Sequence, residues 1–278
     1  MQIKTFATLC TVMLLSASVV FAQTSEKRKS PTSKFYVAEV EGFSQVNTGE
    51  KIEELTEKSV FDAEGTVIET KPDSTNAIVM SNGVGIYFAA DTKLIVNRFL
   101  QEPFLPNRTD LESEPSVSQT RTELTRGAVG ICTGKLVAGS SMIYNTPHVS
   151  LNVLSQNTQK FAVQTSDEST VVTLFEGALT LRGDNMSGGE ALLPGQQAVI
   201  KPRGLNQPPV ITIGPIPEEQ RELLENMVNG ACQARSKVYF DTVDRINNVD
   251  GVTSILSPVS VSPVNPSEVG PIVSPARL

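Results

Sequence analysis

From about residue 35 to residue 201, the chain consists of short apolar runs set between polar and turn residues, with few signs of helical spacing. Short apolar runs are separated by glycine, asparagine and proline, which is typical of strands joined by turns. Ala77 and Val79, for example, fall on the face opposite to Ile78. Because both faces of such runs are apolar, we expect strands that lie between two layers rather than a sheet with one wet face.

The later part of this region repeats the same short runs, with turn residues between them. The runs are 128–131, 136–138, 149–153, 161–163, 171–175, 179–181 and 198–200. Their spacing of roughly 8–12 residues, without a strict period, is typical of an all-β domain. We therefore predict an all-β fold over residues 35–202, as a multi-stranded sandwich, a roll or a solenoid-like stack.

A long polar segment at 101–123 interrupts the strands and is predicted to be a surface loop. It contains the acidic residues Asp110, Glu112 and Glu114. Such a cluster is more often a solvated face than a cation site, so we expect these carboxylates to lie in water.

After the β region, residues 203–250 predict a linker followed by one amphipathic helix. Pro217 fits the first helical position, and the helical pattern ends near Arg235. The predicted packing face of this helix consists of Leu223, Leu224, Met227 and Val228. We expect this face to pack on the β domain, with docking of a partner as the alternative. Residues 251–278 hold five prolines and no aromatic residue, so a disordered tail is predicted.

The first residues of the chain, 1–22, are typical of a secretory signal peptide. Lys4 supplies a positive charge, an apolar stretch follows, and Val20 and Ala22 stand where signal peptidase selects small or branched residues. We predict cleavage after Ala22, with an uncleaved membrane anchor as the alternative. Residues 23–34 predict a flexible lead-in. The expected location is therefore the periplasm, the extracellular space or the cell envelope, with no integral membrane span after cleavage.

Composition and charge narrow the classes of partner. The chain of 278 residues has a formal net charge of −7 and a pI of about 4.9, which argues against the broad basic surface that nucleic-acid binding needs. It has no tryptophan, so stacking platforms are scarce. Two cysteines follow the signal segment, Cys132 and Cys232. They could pair in an oxidising compartment, and two free buried thiols are the alternative.

Motifs for catalysis and cofactor binding are incomplete. Segment 127–135 is rich in glycine, but Val129 and Leu136 occupy positions where a phosphate loop needs glycine and a hydroxyl residue. Segment 246–257 lacks the first and last carboxylates of a calcium loop. His148 is the only histidine, and no Gly-x-Ser-x-Gly elbow accompanies it. We therefore expect no enzymatic activity, no cofactor and no metal site; a carbohydrate-active enzyme with distant carboxylates is the alternative.

Several short motifs, taken in order, resemble those of the FecR domain, a β module of bacterial envelope proteins. The matching segments are 40–42, 65–70, 74–88, 91–94, 124–129, 146–147, 175–179 and 193–196. They hold turn glycines and threonines between half-buried strands, and such residues specify a fold rather than a chemical site. In segment 157–161, asparagine replaces the glycine of the family's Gly-Thr-x-Phe unit and one residue is added, so we expect a bulge or longer turn.

The resemblance also implies a range of functions. Signalling members of this family resemble anti-sigma regulators, with a cytoplasmic helical region and one membrane span before the β domain. Only residues 1–5 precede the apolar stretch here, so we expect this chain to lack both regions. The leading hypothesis is an exported non-enzymatic envelope protein, a binding or scaffold module whose partner is an envelope protein or a glycan. The alternative is a periplasmic accessory of receptor-linked signalling that binds by strand addition.

Overall fold

The computed structural model describes residues 33–104, 112–154, 157–183, 189–204, 207–247 and 251–260. The strands before the helix are β1 Lys34–Glu41, β2 Ser44–Asn47, β3 Ile52–Glu54, β4 Val60–Asp62, β5 Val67–Thr70, β6 Thr75–Met80, β7 Gly85–Phe88, β8 Lys93–Gln101, β9 Ser118–Thr133, β10 Ser141–Asn145, β11 Ser150–Val153, β12 Gln159–Thr165, β13 Thr170–Glu176, β14 Leu179–Arg182, β15 Glu190–Leu192, β16 Gln196–Lys201 and β17 Val210–Pro215. Helix α1 follows at Glu218–Lys237, and then a hairpin of β18 Val238–Asn247 and β19 Gly251–Ser260.

Strands β1 to β17 form two sheets that pack face to face. In the first, which we call the helix-bearing sheet, the order is β4-β1-β6-β7-β9-β12-β13-β16-β17 and all pairs are antiparallel. In the second, which we call the open sheet, the order is β3-β2-β5-β8-β9-β10-β11-β14-β15 and the β9–β10 pair is parallel. Buried apolar residues of both sheets form one cluster between them. The predicted all-β fold with one C-terminal helix is thus confirmed, in the form of a sandwich.

Strand β9 belongs to both sheets. Its residues up to Arg126 pair with β8 in the open sheet, and residues 127–133 pair with β12 in the helix-bearing sheet. Gly127 lies at the crossing with a φ of +88°, and a Cβ there would lie 2.5 Å from the Cα of Thr92. The hydroxyl of Thr92 accepts a hydrogen bond from the amide of Ala128 at 3.0 Å. Glycine is required at this bend because both its backbone conformation and the close approach exclude a side chain.

The two apolar faces of the strands have different neighbours. Ile78 of β6 lies in the core between the sheets, whereas Ala77 packs on the outer side, in a cluster that includes residues of the helix. Across the core, Tyr144 of the open sheet meets Phe161 of the helix-bearing sheet edge-on, with ring centroids 5.4 Å apart. The register between β12 and β13 shifts at Lys160 and Phe161, but the extra residue is Phe175 of β13, and β12 pairs with β9 without a shift. The irregularity thus lies on the strand opposite segment 157–161, where a bulge or longer turn was expected. The central strands of the helix-bearing sheet, β6, β7, β9 and β12, therefore lie between two apolar layers, as the sequence pattern predicted.

The polar segment predicted as a loop at 101–123 is partly strand. Strand β8 includes Gln101, and β9 already begins at Ser118. The loop prediction was wrong for these ends because a run of alternating hydroxyl and charged residues lacks an apolar face, although its threonines favour strands. Residues 105–111, with Asp110, lie outside the described part of the chain.

Glu114 departs from the predicted solvated cluster, whereas Glu112 is exposed. The Glu114 carboxylate is buried and accepts hydrogen bonds from the Ser118 hydroxyl at 2.6 Å and from the Val137 amide at 2.8 Å. Burial raises the pKa of Glu114, although these hydrogen bonds oppose the shift. The expectation of a solvated carboxylate is therefore wrong for Glu114, which fastens the segment before β9 to the segment before β10.

Two C-terminal segments are strands where a linker and a disordered tail were predicted. Strand β17, within the predicted linker, pairs with β16 over its whole length, and β19, within the predicted tail at 251–278, pairs with β18. Backbone hydrogen bonds to one neighbour hold these segments despite their prolines, because an edge strand tolerates a missing N–H. Residues 1–32 and 261–278, which include the predicted signal peptide, most of the lead-in and the rest of the tail, lie outside the described residues.

Candidate binding face

Helix α1 lies on the outer face of the helix-bearing sheet. The residues of its predicted packing face that are buried there are Leu224, Met227 and Val228. Leu223, by contrast, is 61% exposed, so its assignment to this face is wrong. A helix turns by about 100° per residue, and the buried row continues at Ala231 and Ala234 instead. Among the described residues, no helix is both long and apolar enough to cross a membrane.

Glycines let the helix approach the sheet at backbone distance. A Cβ on Gly130 of β9 would collide with the carbonyl oxygen of Met227, and one on Gly85 of β7 would collide with that of Ala231. In the opposite direction, Gly230 of the helix lies against the ring of Tyr87, where a Cβ would come within 2.8 Å. The outer face of this sheet is therefore shaped for a helix of this same chain.

A disulfide joins the helix to the sheet. Cys132 of β9 and Cys232 of α1 are bonded, with their Cα atoms 5.1 Å apart, so the structure contains the paired state that the sequence left open. Near the end of the helix, the guanidinium of Arg235 donates to the carbonyl oxygen of Gly83 at 2.7 Å. The helix is thus fixed by a covalent bond as well as by packing.

The outer face of the open sheet has a different character. Its outward side chains are mostly polar, and neither α1 nor the β18–β19 hairpin packs on it in the described chain. One row across five strands is set by the pairing registers and consists of Arg98, Arg121, Ile143, Asn152 and Thr180. The next row consists of Ile95, Glu123, Asn145, Ser150 and Arg182. This face therefore offers guanidinium, amide and hydroxyl groups to solvent.

The two arginines of the first row stand directly opposite each other. Arg98 of β8 is the register partner of Arg121 of β9, and both are exposed. Within the described ranges, neither guanidinium makes a hydrogen bond or an ion pair. Like charges in opposed positions destabilise a sheet. An arginine pair without a carboxylate therefore costs stability and leaves donors free for an anion.

Two other cations on the same face, Arg126 and Lys71, are neutralised by a carboxylate, unlike Arg98 and Arg121. Glu69 of β5 contacts Arg126, lies 3.2 Å from the ammonium group of Lys71, and accepts a hydrogen bond from the Gln45 amide at 2.7 Å. Burial raises the pKa of Glu69, but the bonds to Arg126, Lys71 and Gln45 outweigh it and lower the pKa overall. Cations on this face are thus paired where the chain supplies an acid.

The arginine pair borders a cleft of about 250 Å³. Its lining residues are Arg98, Gln119, Thr120, Arg121, Ser141 and Ile143. The cleft combines two cations with an amide and hydroxyl groups, and Ile143 is its one apolar side chain. Such a lining suits a small anionic and hydroxyl-rich group better than an apolar ligand.

A larger depression of about 650 Å³ lies where edge strands β3 and β4 meet. Four carboxylates line it, those of Glu50, Glu53, Asp62 and Glu64. Two of them are engaged, since Lys51 lies 2.9 Å from Glu53 and Lys34 lies 2.7 Å from Asp62. The described residues hold no group of three or more histidine, cysteine or acidic side chains placed to bind a metal ion.

His148, the only histidine, lies in the turn before β11. Its Nδ1 is 2.9 Å from the hydroxyl of Thr170, and its Nε2 is 3.3 Å from the backbone oxygen of Asp167. Thr170 in turn bonds the hydroxyls of Thr146 and Thr165, at 3.0 and 2.8 Å. The imidazole is therefore part of a hydroxyl network that joins a turn of one sheet to a strand of the other.

Sequence reasoning missed the arginine pair. Arg121 fell in the segment predicted as a loop, and Arg98 follows a register shift of β8 that no pattern in the sequence announces. The usable signal was the alternation of Gln119, Arg121 and Glu123 with three hydroxyl residues, which is a strand pattern with two polar faces. Only the pairing of β8 with β9 brings the two arginines together.

These features define a class: a β-sandwich with one face covered by a disulfide-linked helix and one polar open face. No protein-family model matches the sequence, and no curated protein is significantly similar to it. Two crystal structures of a "putative anti-sigma factor" from Parabacteroides distasonis are similar to it, each with a TM-score of 0.40. Their sequence identities are 13% and 14%, and each match covers 56% of this chain and 62% of that chain. Similarity at this level assigns neither family nor function.

Proposed function

We propose that this protein is an exported, non-enzymatic binding module of the cell envelope, and that it binds its ligand on the outer face of the open sheet. The observation that carries the proposal is the contrast between the two outer faces. The helix-bearing sheet is covered by the chain itself, whereas the open sheet presents the opposed Arg98 and Arg121 without an acid. Charges that lack an internal partner steer and orient an external one.

The disulfide supports export. Disulfides persist in oxidising compartments such as the periplasm or the extracellular space and are rare in the cytosol of most organisms. The Cys132–Cys232 bond joins two well-packed elements 100 residues apart in sequence, so it is placed as a structural bond. It agrees with the signal peptide predicted for residues 1–22.

The bonding of the titratable groups supports a non-enzymatic role. A catalytic site brings a nucleophile, a base and an orienting group together in a cleft. In the described chain, His148 is bonded to a threonine and a backbone oxygen, and the two carboxylates with shifted pKa values, Glu69 and Glu114, are bonded to structural partners. Each of these groups is therefore bonded to a neighbouring part of the fold.

Site-specific photo-crosslinking in intact cells tests the proposal. A photo-reactive residue is placed at Ser141, on the open face, or at Leu223, which is also exposed but lies on the helix. We expect envelope adducts from position 141 and few from position 223. Equal yields from both positions, or adducts from position 223 alone, would overturn the assignment of the binding face.

The same cells test export. Mass spectrometry of the purified protein should show Gln23 as the first residue and no free thiol at Cys132 or Cys232. A chain that retains Met1 and carries two reduced cysteines in the soluble cytoplasmic fraction would overturn this part of the proposal.

Strand addition is a second candidate mode of binding, and one observation favours it. Strand β17 pairs only with β16 among the described strands, so its other edge presents backbone N–H and C=O groups to solvent. An added strand from a receptor would fit the signalling accessory suggested by the resemblance. Hydrogen-exchange protection confined to residues 210–215 on addition of envelope extract would support this mode, and protection of β9 and β10 instead would exclude it.

A further inference from the structure

We propose that Arg98 and Arg121 form a subsite for the carboxylate groups of an acidic glycan. This inference rests on the proposed function, because it names the ligand of the same open face. The two guanidinium groups project side by side from opposed positions of β8 and β9, at the mouth of the cleft that also contains Gln119 and Ser141.

The arginine pair specifies an anion. Directly opposed residues of antiparallel strands have Cβ atoms about 4.5–5.5 Å apart, so two guanidinium groups can bind one carboxylate or two neighbouring ones. A planar guanidinium matches a carboxylate with two parallel hydrogen bonds. Since the described chain gives neither arginine an acid, a bound anion would also remove the repulsion between them.

The surroundings of the pair favour a glycan over a protein surface. Interface centres that bind proteins are enriched in aromatic and other large apolar side chains. Here the cleft has no aromatic lining residue, and the row continues past Ile143 to Asn152 and Thr180. Amide and hydroxyl side chains at regular strand spacing are suited to the hydroxyl groups of a sugar chain.

The acid on the same face sets a direction for the ligand. Glu123 lies two residues beyond Arg121 on β9, and its carboxylate accepts a hydrogen bond from the Asn97 amide at 3.2 Å. Its negative charge repels a second anion, so the ligand's carboxylates should extend from Arg121 toward Gln119 and Ser141. Arg182 stands in the same row as Glu123, three strands away on β14, and is therefore outside this path.

Equilibrium binding to the purified, oxidised full-length mature chain tests the subsite. The probe is an oligogalacturonate, a glycan with one carboxylate per sugar. Its methyl ester has the same sugars without the charge, and inorganic phosphate represents a simple anion. We expect the oligogalacturonate to bind, the ester to bind at least about tenfold more weakly, and phosphate to compete only weakly because it lacks the sugar contacts.

Variants connect the binding to the two residues. Arg98→Gln and Arg121→Gln should each weaken oligogalacturonate binding by at least about tenfold, and the double variant should abolish it. Arg221→Gln is the control, because Arg221 lies on the helix and pairs with Glu218 and Glu225. The double variant should melt no lower than the wild type, since it removes two like charges.

Three results would overturn the inference. Equal binding of the acid and its ester would show that the carboxylates are not recognised. Equal weakening by Arg221→Gln would show a diffuse charge effect. A wild-type chain that does not bind oligogalacturonate, yet gives protein adducts at position 141 that depend on Arg98 and Arg121, would identify a protein ligand. This last result would leave the proposed binding face intact, whereas a failure of the proposed function would show as equal adducts from positions 141 and 223.

Discussion

The two sheets of this sandwich are built from the same kind of strand, but their outer faces differ. Helix α1 covers one face, and the described chain leaves the other in solvent. On the helix-bearing sheet, the outward positions include glycine, alanine and Cys132 beside larger apolar residues such as Val79 and Tyr87, and helix α1 lies directly on the small ones. On the open sheet, the outward positions hold arginine, glutamine, serine and asparagine, and the described chain leaves them in solvent. The difference is therefore one of side-chain size and charge rather than of backbone.

The comparison shows that the outward side chains of a strand indicate which kind of element can pack against it. Small residues on an outer face allow a helix to approach at backbone distance, and the helix then satisfies that face within the chain. Opposed arginines do the reverse, because they keep a neighbouring element of the same chain away unless it brings an acid. The first face stabilises the fold, and we propose that the second binds a ligand.

A charge buried under the helix should cause the largest loss of stability and is therefore the strongest test of the covered face. Met227→Asp places a carboxylate where the side chain is 5% exposed, without a partner, and should cost about 3–4 kcal/mol in the free energy of unfolding. Leu223→Asp is the matched control, because its site is 61% exposed and the change should stay within about 0.5 kcal/mol. Thermal and denaturant melts measure both. Similar losses for the two variants would show that the helix face is not the one described.

Removal of the covalent bond should have the next largest effect. Cys132→Ser with Cys232→Ser should lower the free energy of unfolding by about 2–4 kcal/mol, because the bond closes a loop of 100 residues in the unfolded chain. Reductant should lower the melting temperature of the wild type and leave that of the double variant unchanged. A wild type that is insensitive to reductant under unfolding conditions would contradict a disulfide in the protein.

The close approach of helix and sheet can be tested with one methyl group. Gly130→Ala should cost about 1–3 kcal/mol, since its Cβ would meet the backbone of Met227 and the helix must move. Gly214→Ala in β17 is the control, because nothing lies within 4 Å of a Cβ there, and its effect should be close to zero. If both changes are silent in melting experiments, the helix does not rest on the sheet at backbone distance.

The smallest expected effect lies on the open face. Arg98→Gln should change the free energy of unfolding by no more than about 0.5 kcal/mol, in the stabilising direction, because it removes a like-charge contact. Arg126→Gln should instead destabilise the fold, because Arg126 pairs with Glu69. Equal losses from both variants would mean that Arg98 has a structural partner, and would argue against a ligand subsite.

Much of the fold could be predicted from the sequence. The period-two pattern identified an all-β domain, and the helical spacing after Pro217 identified one helix. Apolar residues on both faces of β6 predicted that this strand packs against one layer on each side. These features follow from local periodicity, which requires no knowledge of neighbours. The exposed Leu223 and the buried Glu114 were wrong because the phase of a helix and the burial of one carboxylate depend on what packs against them.

Only the tertiary structure decided which distant residues meet. Three examples are the disulfide between Cys132 and Cys232, the close contact of α1 with Gly130, and the register pairing of Arg98 with Arg121. Each joins segments whose separation in sequence carries no information about their separation in space, since strand order and register are set by the whole network of pairings. The sequence by itself therefore determined the all-β class and the position of the one helix, whereas the candidate binding face exists only once the sheets are assembled.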